Sequence, residues 1–331
     1  MRGLIFTAGK GERLRPITSH VAKPAVRFLN IPILSYPLFW LEQLKPSRVV
    51  FNTHYLPQTI ETAARAVCEW DYQIDFSHEP EILGSGGGMW KARDLLHGDG
   101  HFVTINGDAV FLLDSLKTLS NMLEYHKQSK ALATILVCDY PGIGETVPGV
   151  WFDPGHRVVK FGKGKEKDLT CQHFTGLIFY SDRIFDLLPA GESNVLYEVL
   201  QPAIEKGEIV NVWSEKMKWY ETGRPRDYFY ATNECLDLLF SNEGVKWHLV
   251  DILDRFSPGW RNHTEEQLFA FEKPSFPYSC QEGARVLLGP NTSSTTAIHF
   301  DGHTVLGEGL SLNGRAGVEG IYLPEAQMWV R

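Results

Sequence analysis

The chain has 331 residues, of which 43% are hydrophobic and 22% charged, and its formal net charge is −8. That length supports one large α/β domain with a good core plus something smaller, and the proportions are those of an ordinary soluble globular protein. The acidic balance argues against general nucleic-acid binding, which needs a basic footprint, so the basic residues near the N-terminus read as a local anion site.

Five cysteines (Cys68, Cys138, Cys171, Cys235 and Cys280), an odd number without CxxC spacing, suggest reduced thiols of a cytoplasmic protein rather than a disulfide frame or zinc site. Met1 leads almost at once into an expected core strand, so no signal peptide is expected. No apolar run approaches membrane-spanning length, so no membrane partner is expected either.

In chain order, the first element is the apolar run Leu4, Ile5, Phe6, expected as a strand over Gly3–Thr7. It feeds directly into a glycine-bearing loop that carries Lys10, Arg13, Arg15 and Lys23. A strand ending in a loop of exposed backbone N–H groups and cations is a device for holding polyphosphate. Gly9 and Gly11 permit positive φ and let the backbone come close to a ligand. Two familiar phosphate loops are excluded: the dinucleotide fingerprint needs a third glycine where the chain has Leu14, and no GxxxxGKS/T occurs.

A helix is expected over Ile33–Leu44, with Leu34, Leu38, Leu41 and Leu44 as its core face. A strand at Arg48–Asn52, a helix at Pro57–Glu69 and a strand at Gln73–Phe76 follow. In the next segment, Glu79 to Gly88, the residues Glu79, Gly84, Ser85, Gly86 and Gly87 offer polar groups and bare backbone that can line a planar base and ribose. Its composition also fits a flexible turn. The helix expected over Gly88–Leu96 leads to the strand Phe102–Asn106 and then to Asn106-Gly107-Asp108. A carboxylate at the tip of a central strand, followed by apolar Ala109-Val110-Phe111, is placed to hold a magnesium ion over the sheet edge. Gly107 lets the backbone turn tightly beside a ligand, although NGD by itself is also a common turn.

Helices at Leu113–Gln128, Ser193–Glu205 and Pro225–Leu239, and strands at Ala131–Val137 and Thr175–Tyr180, complete the alternation. Strands alternating with crossover helices imply an α/β fold, a doubly wound, mostly parallel sheet with helices on both faces. Ligands of such sheets sit beyond the carboxyl ends of the strands, the edge onto which the loops after Thr7 and Asn106 both open. After about Glu243 the texture changes. Ser241–Ser279 is irregular, with one helical stretch near Glu265–Phe271. From Ala284, apolar triplets punctuated by small residues (VLLGPN at Val286, TVLGEG at Thr304, IYLPEA at Ile321) suggest a few turns of a left-handed parallel β-helix, as a cap or oligomer contact. The expected division is 1–240, a linker 241–283 and a β-helix-like region 284–331.

The pattern GxGxRLxPxTxxxxKP, running from Gly9 through Arg13, Leu14, Pro16 and Thr18 to Lys23 and Pro24, resembles the signature of the sugar nucleotidyltransferases, also called nucleotide-sugar pyrophosphorylases. The likeness covers roughly residues 1–240. The Glu79–Gly88 segment is similar to that family's base loop, in the forms found among mannose-1-phosphate guanylyltransferases and N-acetylmuramate-1-phosphate uridylyltransferases. The resemblance implies a Rossmann-like domain that joins an NTP to a sugar 1-phosphate with magnesium, giving an NDP-sugar and pyrophosphate. Ala8, Gly9, Lys10 and Gly11 would then cradle the triphosphate. Arg13 would stabilise the leaving pyrophosphate, Lys23 would neutralise the α-phosphate, and Asp108 would hold the metal.

Trp219-Tyr220-Glu221-Thr222-Gly223 stands where the family has WxDxGxP, with Glu221 in place of a second metal-binding aspartate. The extra methylene moves its oxygens by about one C–C bond length, which leaves direct binding, binding through water and a structural salt bridge all open. Phe174-Thr175-Gly176-Leu177 resembles the family's (T/S)G(L/I) strand, so Thr175 and Gly176, with Asn106, Gly107 and Lys163, would border the sugar phosphate. The family's FxEKP element lacks its glutamate here, which makes Lys160 an alternative to Lys163. His20, His54, His78 and His173 show no ligand spacing. A homodimer through the tail is expected. Two rivals stand beside this reading: cytidylyl transfer to a phosphorylated amino alcohol, disfavoured by the tail, and a non-catalytic sensor of nucleotide or nucleotide-sugar, disfavoured by retention of Arg13, Lys23 and Asp108.

Overall fold

The computed structural model describes residues 1–331 apart from 69–70, 258–260, 264–267, 271–273, 275, 290–291, 308–309, 313–316, 324–327 and 331. The chain forms two compact units, Met1–Gly9 with Pro37–Trp219, and Lys10–Tyr36 with Tyr220–Arg331.

The first unit is built on a central, mostly parallel sheet covered by helices. Its strands are β1 (Arg2–Phe6), β2 (Arg48–Thr53), β3 (Gln73–His78), β4 (His101–Asn106), β5 (Ala133–Cys138), β6 (Gly149–Phe152), β7 (Val158–Gly162), β8 (Thr170–Ser181) and β9 (Val210–Ser214). The helices α1 (Ser35–Glu42), α2 (Pro57–Val67), α3 (Gly84–Lys91) and α4 (Arg93–Leu96) connect the first four strands, and α5 (Thr118–Ser129) precedes β5. β1 pairs in parallel with β2 on one side and β4 on the other, and β2 continues in parallel to β3. The strand order therefore reverses at β1/β4, and an open α/β sheet leaves its ligand crevice at such a reversal. Leu4 and Ile5 are fully buried, as a strand covered on both faces requires. With Val50, Phe102, Ile135 and Ile178 among others, Leu4 forms one continuous core.

β8 departs from expectation. The strand expected over Thr175–Tyr180 starts at Thr170, because its first half pairs antiparallel with β6 while its second half runs between β4 and β5. Its register against β5 shifts between Phe174 and Ile178, around Gly176 at φ 99°, a bulge that glycine accommodates without strain. The helix expected over Ser193–Glu205 is a π-helical turn, Val195–Leu200, running into an α-helix at Gln201–Glu205. The Asn194 side chain caps it by accepting from the Leu196 and Tyr197 N–H groups. The helix expected over Pro57–Glu69 ends at Val67, and position 69 lies outside the described residues.

In the second unit, Tyr36 and Tyr228 each meet Phe28 edge-on at 5.5 Å between ring centroids. The helix Pro225–Leu239 has the bounds the sequence predicts, with proline in its first turn where no N–H is needed. The tail strands among the described residues are largely parallel. Leu268–Ala270 pairs with Val286–Leu288, which pairs with Ile298–Leu306, which in turn pairs with Gly317–Leu323. Leu268, Val286, Ile298, Phe300 and Leu306 fill their core. Asn30 donates from Nδ2 to the Leu306 carbonyl at 2.8 Å, tying the segment after Lys10 to this tail. The helix expected near Glu265–Phe271 is instead a strand at Leu268–Ala270, because Leu268 and Ala270 alternate with period two and both are buried. The rest of that stretch lies outside the described residues. No helix among the described residues is long and apolar enough to cross a membrane.

Within the first unit's core, His126 on α5 is fully buried, with Nδ1 2.8 Å from Thr134 Oγ1 and its ring edge-on to His101 at 5.0 Å. Burial first, and the neighbouring His101 second, push its pKa from 6.5 down to about 4. Between those values the unfolded chain takes up a proton that the folded chain refuses. Stability present above the unfolded value is therefore lost as pH falls toward the folded one, at up to ~1.4 kcal/mol per pH unit from this group. His126→Gln should flatten the fall in urea-unfolding free energy between about pH 6.5 and about pH 4. An unchanged slope would remove His126 as its source.

Candidate functional site

The carboxyl ends of β1 and β4 lie side by side, with Phe6 opposite Asn106. The Gly107 N–H donates to the Phe6 carbonyl at 2.9 Å, and the Ala109 N–H closes the turn onto the Asn106 carbonyl at 3.1 Å. A Cβ on Gly107 would fall 2.7 Å from Thr7 Cγ2 and 2.8 Å from the Phe6 carbonyl oxygen, so only glycine fits. Half-buried Asp108 therefore leaves the sheet next to Thr7, Ala8 and Gly9. Gly9 is exposed, and a Cβ there would meet nothing within 4 Å, so its backbone is open to an incoming group.

In the second unit, the remainder of the first loop is anchored by fully buried Leu14 and Ile17. Gly11 sits at φ 62°, and its carbonyl accepts from Thr18 Oγ1 at 2.7 Å and from the Leu14 N–H at 3.0 Å. Lys10, Arg13 and Arg15 are exposed, whereas Lys23 is 7% exposed, an unusual setting for an ammonium group. Glu221 accepts the Gly223 N–H on Oε1 at 2.6 Å. A Cβ on Gly223 would lie 2.5 Å from that oxygen and 3.0 Å from Arg13 Nη2, so the turn after Glu221 closes against the Arg13 guanidinium. The structure thus gathers Arg13, Lys23 and Glu221 in one unit. Ala8, Gly9, Glu79, Gly84–Gly87, Asn106–Asp108, Lys163, Thr175 and Gly176 belong to the other.

The glycine segment differs from its sequence reading. The helix expected from Gly88 begins at Gly84, so Gly84–Gly88 is the first part of α3 rather than a loop, and α4 takes up the end of the expected span. Glycine disfavours helix interiors, and the reason for it here is close approach. A Cβ on Gly87 would fall 2.1 Å from the Gly191 carbonyl oxygen, and one on Gly86 would fall 2.5 Å from Ser193 Oγ. The Gly86 N–H donates to the Ser193 carbonyl at 2.8 Å, the Ser193 N–H to the Leu83 carbonyl at 2.9 Å, and the Val195 N–H to Ser85 Oγ at 2.9 Å. Gly86, Gly87 and Gly88 are buried against protein, and Gly84 is the exposed member of the set.

Glu79 is 0% exposed; Oε1 accepts from Asn52 Nδ2 at 2.8 Å and Oε2 from the Leu83 N–H at 3.0 Å. Across β4 and β8, a Cβ on Gly176 would lie 3.0 Å from Asn106 Cβ, and buried Thr175 donates from its hydroxyl to the Leu136 carbonyl at 2.9 Å. Lys160 is engaged by Glu166 and lies over the Trp151 ring at 5.4 Å, while Lys163 is exposed just beyond β7. No group of three or more His, Cys, Asp or Glu able to hold a metal occurs among the described residues. A hard cation completed by substrate phosphates and water needs only one or two carboxylates, a requirement that Asp108 at a strand tip suits. Sequence reasoning missed Asn52 and Ser193. A polar residue at the carboxyl end of a buried strand was the available signal for Asn52; Ser193 carried none.

A parallel sheet with its loops gathered at the β1/β4 reversal is an open α/β fold with its ligand crevice at that edge, and a family model described as nucleotidyl transferase matches residues 2–237. The chain belongs to that family. It is 28% identical over 256 residues to a UTP–glucose-1-phosphate uridylyltransferase of Synechocystis sp., a match covering 73% of this chain and 65% of the relative. It is 26% identical over 309 residues to a mannose-1-phosphate guanylyltransferase of Mycobacterium tuberculosis, covering 90% of this chain and 79% of that protein. The chain thus spans less than two thirds of the Synechocystis relative. Among solved structures, HddC from Yersinia pseudotuberculosis complexed with GMP-PN superposes with a TM-score of 0.58 at 21% identity, over 70% of this chain and 98% of that one. A UDP-glucose pyrophosphorylase from Acinetobacter baumanii gives a TM-score of 0.60 at 16% identity, over 76% of this chain and 98% of that one. These two share the fold.

The two kinds of glycine should respond differently to a methyl group. Gly87→Ala is expected to lower unfolding free energy by about 1–3 kcal/mol through overpacking, whereas Gly9→Ala should stay within ~0.5 kcal/mol. Equal responses in urea titrations would contradict a packed role for Gly87.

Proposed function

We propose that the protein joins a nucleoside triphosphate to a sugar 1-phosphate, releasing pyrophosphate and forming an NDP-sugar. Membership of the nucleotidyl transferase family supports the reaction class. The observation that carries the reading is the Phe6/Asn106 pairing, which sets the first loop's opening and Asp108 at one edge of one sheet. The named activities of the similar uridylyl and guanylyl enzymes support a sugar 1-phosphate as acceptor.

The sugar phosphate oxygen attacks the α-phosphorus in line, and the bond to the β-phosphate bridging oxygen breaks as pyrophosphate leaves. No covalent nucleophile is needed, because positioning and charge neutralisation carry such transfers. Ala8, Gly9, Lys10 and Gly11 hold the triphosphate through backbone N–H groups and the Lys10 ammonium. Arg13 stabilises charge on the leaving pyrophosphate, and Lys23 neutralises the α-phosphate. The base rests against the exposed start of α3 at Leu83–Ser85. Asn106, Gly107, Thr175 and Gly176 border the sugar phosphate with Lys163, since the Lys160 ammonium is already taken by Glu166. Asp108 would hold Mg2+, which when bound supplies charge neutralisation and phosphate orientation, and Glu221 is the further candidate carboxylate. The Gly223 N–H on Glu221 orients that carboxylate, so its added methylene does not leave it free to swing.

We read the tail as short coils of a left-handed β-helix. The sequence step from Leu268 to Val286 recurs from Val286 to Thr304 and from His299 to Gly317, which supports equal coils. A coil stack with open ends suits a homodimer contact. Use of NTPs suits the cytoplasm.

Pyrophosphate release, measured across four NTPs and a panel of sugar 1-phosphates with Mg2+, tests the function. Turnover is expected for a restricted set of pairs, and Asp108→Asn and Arg13→Ala should each lower kcat by about 10²–10³-fold with the fold intact. Wild-type binding without turnover on any pair would leave a non-catalytic sensor instead, and near-normal turnover in both variants would remove the mechanism.

A further inference from the structure

Between the first loop and the glycine helix lies a buried polar chain that the reaction as described does not use. It starts at the Thr7 N–H, which donates to Asn52 Oδ1 at 2.7 Å. The same amide donates from Nδ2 to Glu79 Oε1 at 2.8 Å, and Glu79 Oε2 accepts from the Leu83 N–H at 3.0 Å. Because Oδ1 must face the Thr7 N–H, the orientation of the Asn52 amide is fixed by its partners. Asn52 is 2% exposed, so neither member of the pair meets solvent. The Glu79 backbone is clamped as well, its N–H donating to the Thr53 carbonyl at 2.7 Å and its carbonyl lying 2.9 Å from His54 Nδ1. A Cβ on Gly88 would fall 2.9 Å from Glu79 Oε1 and 3.1 Å from Asn52 Nδ2, so the body of α3 lies directly on the pair.

We propose that Asn52 and Glu79 are a positioning pair that sets the base end of the nucleotide site in register with its phosphate end. The inference rests on the nucleotidyltransferase reading and deepens it. One end of the chain is the residue that opens the phosphate loop, and the other is the N–H that opens the glycine helix. A donor–acceptor chain with each atom satisfied tolerates neither a shift nor a reversal of either end, because a buried unpaired group is costly. The two loops leave different strands and share no sequence neighbourhood, so backbone continuity alone does not set their spacing. Glu79 thus acts on the nucleotide through Leu83 and α3 rather than by touching the base.

A polarity swap tests this. Glu79→Gln alone sets an amide donor against either Asn52 Nδ2 or the Leu83 N–H, and Asn52→Asp alone sets two carboxylates face to face. In the double variant the new carboxylate at 52 accepts from the Thr7 N–H and from the new amide at 79, whose carbonyl accepts from the Leu83 N–H. Each hydrogen bond is then restored with the net charge unchanged. Steady-state pyrophosphate release should show KM for the NTP raised by about tenfold or more in each single variant, KM for the sugar 1-phosphate little changed, and the double variant returned to near the wild-type value. If the single variants do not fold, a folded double variant with wild-type KM carries the inference, and a double variant that unfolds or keeps a raised KM overturns it. Single variants that lose thermal stability but keep wild-type KM values reduce the pair to a structural role and overturn it too. A wild-type protein inactive on every substrate pair overturns the nucleotidyltransferase reading and the inference with it; an active wild type with unaffected variants overturns the inference alone.

Discussion

The parallel pairing of β1 with β4 is the constraint from which the first unit's chemistry follows. Phe6 opposite Asn106 brings two chain segments about a hundred residues apart to the same edge, where the strand order reverses and the helices diverge. At that point the turn at Gly107 approaches the Phe6 carbonyl so closely that no side chain can intervene. A carboxylate and a backbone open at Gly9 then leave the sheet as neighbours. Shift the register by one residue and Asp108 would be carried to the other face of the strand.

Close approach also explains why the chain accepts a run of glycines in a helix. Each glycine in a helix interior costs roughly 1 kcal/mol relative to alanine, and α3 contains four of them. Two face the Gly191–Ser193 backbone, one faces the Ser193 hydroxyl and one faces the Asn52–Glu79 pair, all nearer than a Cβ allows. The segment is a fitted joint, pinned by hydrogen bonds to Ser193 and Val195 and backed by a π-helical turn. Such turns are rare and frequently mark functional regions.

Electrostatics divide along similar lines. The protein carries a net charge of −8, yet its first loop displays exposed Lys10, Arg13 and Arg15 and a nearly buried Lys23. Exposed cations draw anions at long range and are screened by salt, whereas a buried ammonium acts at close quarters in a lower dielectric. Glu221 is held by the Gly223 N–H in a turn packed on the Arg13 guanidinium, so the carboxylate that departs from the family pattern is a positioned group.

The alternation of strands and helices, the helix Pro225–Leu239 and the carboxylate at the tip of β4 were all legible in the sequence. Each depends on local periodicity, capping or residue type within a few positions. Other features were not legible because they are contacts between distant segments. Gly84–Gly88 looked like a loop, since nothing near it in the chain reveals the Gly191–Ser193 backbone on which it packs. Glu79 looked like a ligand group, since only the fold buries it against Asn52. The stretch around Leu268 looked helical because its parallel partner, Val286–Leu288, lies beyond the range of any local signal. Glycine, asparagine and glutamate are chemically versatile, and tertiary structure decided their roles by choosing what stands within hydrogen-bonding or van der Waals distance of each.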